Sequence, residues 1–75
     1  MMIEALQKKY EAEIASARTN IQVYLTNPAG IGEHPDLVSA VDEQVAKLAE
    51  AEDKLETLLN NYGVLIDGAD DDDQG

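Results

Sequence analysis

"NPAGIGEHPD", residues 27–36, decides the fold of this chain. It holds both prolines, two of the five glycines and the only histidine, a mixture through which no helix can run. Two readings compete for it. It is either a ligand loop that gathers Gly30, Gly32 and His34, or the bend at which two helices turn back on each other. The flanks decide between them.

Upstream, Ile3, Tyr10, Ile14, Ala17, Ile21 and Tyr24 follow gaps of four and three once Gln7 fills the missing slot. That spacing keeps one face of a helix apolar, and it predicts a helix over about residues 3–26. Asn27 ends it, because Pro28 pushes the preceding residue out of the α region. Downstream, Val38, Val41, Val45, Leu48, Glu52, Leu55, Leu59 and Tyr62 alternate gaps of three and four without a break. Seven of the eight are apolar, so a second helix is expected over about residues 36–61. Pro35 suits its first position, where a missing N–H costs nothing, and Asp36 complements the dipole. Gly63 is expected to close it in the left-handed conformation.

A connection of residues 27–35 between two such helices makes an antiparallel helical hairpin, an all-α two-helix coiled coil. If Thr26 faces Asp36, partner numbers sum to 62. Ile14 then meets Leu48, Ala17 meets Val45, and every a position meets a d position, as an antiparallel coiled coil requires. Glu52 falls opposite Tyr10. A seam carboxylate is costly unless hydrogen-bonded, so Glu52 either accepts from the Tyr10 hydroxyl or bends out to water. No second acid, base or nucleophile stands beside it to make a catalytic group.

The bend itself carries no recognisable chemistry. A phosphate loop lies between a strand and a helix and ends in Lys-Ser/Thr; this stretch follows a helix and presents Glu33 and Asp36 instead. His34 with those two acids lacks the second His or Cys of an ordinary metal site. Gly30 and Gly32 supply freedom for the turn, and Ile31 is expected to tuck onto the hairpin end.

Composition narrows the classes further. Seventy-five residues make one small domain, with no cysteine for a disulfide or a thiolate zinc site. No window reaches the roughly 18 apolar residues of a membrane span, and "MMIEALQKKYEAE" lacks the order of a secretion signal. The expectation is a soluble chain. A net charge of −11 disfavours direct contact with nucleic acid or an anionic membrane. Residues 63–75 divide in two. Val64, Leu65 and Ile66 are apolar enough to pack on the hairpin or a partner, whereas "DGADDDDQG" has the composition of a disordered tail. It lacks the terminal Glu and the flanking helix of a calcium-binding EF-hand. Ala5, Ala12, Ala15 and Ser16, with Ala46, Ala49 and Ala51, either fill exposed helix faces cheaply or let another helix approach closely.

The run "NIQVYLTNPAGIGEHPDLVSAVDEQVAKLAEAEDKLETL", about half the chain, resembles small acidic helical proteins of contractile-tailed myoviruses, particularly phages of marine cyanobacteria. The residues that carry the likeness are "YLTNPAGIGEHPD" and the charged "AEAEDKLE". The resemblance implies a phage-encoded protein made in the bacterial host cytoplasm, with the virion as a second location. It brings no catalytic residues, and the acidic tail lies outside it.

These readings converge on a non-enzymatic interaction or structural protein without cofactor, whose partner is itself or another phage or host protein. The rival is an acidic regulator that occupies a basic surface in place of nucleic acid. Two helices alone rarely bury enough surface to stay folded, so a homodimer forming a four-helix bundle is expected. It would cover Leu6, Leu25, Leu37, Leu58 and the alanines. The tail has no apolar surface to bury, so deleting residues 70–75 should leave the thermal unfolding midpoint unchanged. A clear loss of stability would show instead that the aspartates dock somewhere.

Overall fold

The computed structural model describes residues 1–27 and 36–66, and these form two antiparallel helices and one short turn. Helix α1 is Met2–Thr26 and helix α2 is Leu37–Tyr62; a single 3₁₀ turn, Gly63–Leu65, follows. No strand occurs among the described residues. The helices pack side by side as a hairpin, and the turn folds back against both of them. Residues 28–35, including Pro28, Gly30, Ile31, Gly32, His34 and Pro35, lie outside the described residues, as does the aspartate tail from Asp67.

Local chemistry sets each helix end. At the end of α1 the Thr26 hydroxyl donates to the Gln22 carbonyl (2.8 Å) and the Asn27 amide donates to the Val23 carbonyl (2.8 Å). Asp36 is the N-cap of α2, not a member of its first turn: its Oδ1 accepts from the Ser39 amide at 3.0 Å. The cap uses one of the four amides that a helix start leaves unpaired. At the far end the expected left-handed glycine does not form. Gly63 has φ −60° and ψ −29° and carries the chain straight into the 3₁₀ turn. The Ile66 amide then donates to the Gly63 carbonyl at 3.1 Å, and Ile66 is half-buried while Val64 and Leu65 face outward.

The second correction concerns the seam. On α1 the apolar stripe lies where its spacing puts it: Ile3, Tyr10, Ile14, Ile21 and Tyr24 are half-buried and Ala17 is buried. On α2 the inward stripe is Leu37, Val41, Gln44, Leu48, Ala51, Leu55 and Leu58. Val41, Leu48 and Leu55 belong to the expected seam, but Val38, Val45, Glu52, Leu59 and Tyr62 are exposed. With about 100° per residue, exchanging 38, 45, 52 and 59 for 37, 44, 51 and 58 turns α2 by about 50° on its axis. The cause is Glu52. The expected face would hold its carboxylate between the helices. The observed one puts a methyl group there and sends the carboxylate to the flank. Of the pairs that cross between the helices, Tyr10 with Lys54 and Asn20 with Gln44 sum to 64 and Arg18 with Glu52 to 70, where 62 was expected of seam partners. Val45, the expected partner of Ala17, is 46% exposed.

Among the described residues only Ala17, Ala51 and Leu58 are buried, at 3%, 2% and 7% exposure.

The two helix ends give opposite predictions. Asp36→Ala removes a side-chain cap and should cost about 1 kcal/mol. A Cβ at Gly63 would meet nothing within 4 Å, and its backbone is right-handed. Gly63→Ala should therefore be neutral or stabilise by up to about 1 kcal/mol. Denaturant unfolding of both variants checks the pair; a loss in Gly63→Ala would restore the left-handed cap.

Candidate functional site

The hairpin has two faces of different chemistry, fixed by the rotation of α2. One is polar. There Asn20 Nδ2 donates to Gln44 Oε1 at 3.1 Å across the seam, which makes an amide tolerable in the inward stripe. Ala17 and Ala51 line the same groove, of about 230 Å³, with Glu13, Ser16, Lys47, Glu50 and Lys54 around them. Its charges are largely matched. Lys54 Nζ lies 3.6 Å from Glu50 and 5.8 Å above the Tyr10 ring, and Lys9 Nζ reaches Glu13 Oε2 at 2.7 Å. The Lys9 ammonium, donating its hydrogen bond, holds the Glu13 carboxyl below the ordinary carboxylate range, and Glu13 raises Lys9 in return. What that contact adds is present at neutral pH and lost as pH falls through the lowered Glu13 value. Both groups are fully exposed, and the effect is small.

The opposite face is mixed: an apolar stripe carries an ion pair at its middle, with Asp42 and Glu56 beside it. Val38, Val45, Glu52 and Leu59 are seven residues apart and so form a single stripe along α2. Arg18 Nη2 donates to Glu52 Oε2 at 3.3 Å, which places the Arg18 side of α1 on this face. Leu25 is one heptad on from Arg18. It shares an apolar depression beside the bend with Leu37, Val38 and Val41. Val38 is 81% exposed and Leu59 40%. At the open end Tyr62, Val64 and Leu65 are exposed together with Met1 and Met2. Neither expected environment of Glu52 describes it fully. The Tyr10 ring holds Lys54 above it, and Glu52 turns outward to an arginine that the seam pattern did not nominate.

The expected second faces are redistributed as well. Leu58 is consumed in the hairpin seam, Leu6 and Leu37 are half-buried, and Leu25 remains exposed. Of the alanines, Ala51 makes the close approach, while Ala5, Ala12, Ala15, Ala46 and Ala49 face outward. Among the described residues no group of three or more His, Cys, Asp or Glu side chains could hold a metal ion, and no helix is long and apolar enough to cross a membrane.

Comparison with known proteins returned no matching family model, no similar curated protein and no similar solved structure.

Two neighbouring positions on α2 differ in what they should tolerate. Ala51→Leu drives three extra carbons into a buried site of the seam and should cost about 1–3 kcal/mol. Glu52→Gln removes a half-exposed ion pair and should cost about 1 kcal/mol or less. Thermal unfolding checks the order, and an inverted order would mean that the helices close elsewhere.

Proposed function

We propose that this chain is a non-enzymatic interaction or structural protein that acts by self-association, two hairpins completing one four-helix bundle. The observation that carries the reading is the poverty of the single-chain core. Three side chains are buried among the described residues, two of them alanine, while Val38, Val45, Leu59 and Leu25 face solvent.

Four-helix bundles need helices with an apolar face wider than a two-helix seam. Helix α2 has one. Its two overlapping stripes, one through Leu37 and Leu58 and the other through Val38 and Leu59, span two neighbours instead of one. The resemblance of the bend to myovirus proteins supports a phage-encoded chain acting in the host cytoplasm or the virion, with another phage or host protein as the next partner beyond the dimer.

Sedimentation at low micromolar concentration tests the reading. The expected species is a dimer of about 16 kDa, twice the chain mass, tightening as salt screens the repulsion between two chains of charge −11. A compact, cooperatively folding monomer overturns it. A complex with a basic protein that salt weakens steeply would favour the acidic-regulator reading.

A further inference from the structure

We propose that α2 is a rotary element with two seated positions about 50° apart, and that Glu52, paired with Arg18, holds it in the position described. The proposal concerns a single chain; it goes beyond the self-association above and does not depend on it.

Two faces of α2 are fit for the same seam. Val41, Leu48 and Leu55 belong to both, and all three are half-buried against α1. The faces differ at four levels: Leu37 or Val38, Gln44 or Val45, Ala51 or Glu52, Leu58 or Leu59. At the first and last levels both choices are apolar. At the second the unused face is the better one. Valine buries apolar surface there, whereas glutamine brings an amide that needs a partner, which Asn20 supplies. Only at the third level does the described face win, a methyl group against a carboxylate. One side chain therefore separates two packings of the same helix, which is the condition for a bistable element.

The other charges do not fix the choice. Rotation by about 50° brings Asp42, Ala49 and Glu56 to the flank that Glu52 now occupies, so Arg18 keeps carboxylates on its side. On the other flank Lys47 and Lys54 withdraw from the groove beside Glu13, and Lys54 gives up the Tyr10 ring, 5.8 Å away. The Lys54–Glu50 and Lys9–Glu13 pairs each lie within one helix and survive. What is given up is half-exposed and weak. The Gly63–Leu65 turn touches both helices and has to follow α2. Nothing lies within 4 Å of where a Cβ would stand at Gly63, so that joint has room to move. Rotation exchanges one outward stripe for another: Val38, Val45 and Leu59 go in, while Leu37, Gln44 and Leu58 come out beside the polar groove. The position of α2 thus sets which surface the hairpin offers to a partner.

The test uses the full chain. Glu52→Ala puts a methyl group at position 52 as at 51, and leaves Val45 against Gln44 to decide the face. Nuclear Overhauser contacts of the methyl groups, isotope-filtered to those within one chain, report the position of α2. In the parent chain the strong contacts with α1 come from Ala51 and Leu58, the buried pair on α2. In Glu52→Ala the expected result is a reversal, with the strong contacts passing to Val45 and Leu59. Contacts that stay with Leu58 in that variant overturn the proposal. If Glu52→Ala loses its helical hairpin, the exchange of Ala51→Glu with Glu52→Ala in one chain decides, since it keeps the composition and moves only the carboxylate. Strong Leu59 contacts in the exchanged chain support the second position. Retained Leu58 contacts, or an exchanged chain without a hairpin, show that α2 has a single position and overturn the proposal. Self-association is read separately by sedimentation and stands or falls by itself.

Discussion

Ala17 and Ala51 are the places where a methyl group is all that the helix carries toward its neighbour, and they are the two most buried residues described. Close approach there is what the rest of the hairpin depends on. Two helices in water have one line along which to exclude it, and the gain grows with how nearly the backbones meet. Leucine at both points would hold the axes apart and leave the polar groove wider. With alanine, the helices close far enough for Asn20 and Gln44 to hydrogen-bond directly at 3.1 Å. An inward amide is therefore paired, and the seam tolerates it.

That closure has a cost on the other side of α2. Drawing Ala51 inward turns Val38, Val45 and Leu59 away from α1, because residues on one helix cannot all face one neighbour. The exposed stripe is therefore a geometric consequence of the buried one. Glu52 goes with it and meets Arg18 at 3.3 Å. In the proposed assembly α2 would have two neighbours and use both of its stripes.

The hairpin was legible in the sequence because its signals are strong and local. Both prolines sit in one short stretch, and heptad spacing runs for seven positions before it, Gln7 among them, and eight after it. The face of α2 was harder to read. Leu37 and Val38 are adjacent, as are Leu58 and Leu59, so either of two stripes about 50° apart is apolar. Counting apolar residues favours the one through Val45, which loses to the one through Gln44 once Glu52 and Ala51 are compared. That decision depends on a pairing between Asn20 and Gln44 on different helices, which spacing along one helix does not report. Arg18 went unnoticed for the same reason, since its partner is 34 residues away. The end of α2 was misread by a different route. A glycine after a helix commonly takes the left-handed cap, but Gly63 continues right-handed into a 3₁₀ turn, after which Ile66 is half-buried.

If the second stripe of α2 completes its burial in another copy, folding and association are one equilibrium, and the apparent stability must depend on chain concentration. The direct measurement is the thermal unfolding midpoint, followed by circular dichroism over two decades of protein concentration at fixed salt and pH. The account predicts a midpoint that rises steadily with concentration while the transition stays single. A cooperative transition whose midpoint stays the same throughout that range would contradict it, because the hairpin would then be stable on its own contacts.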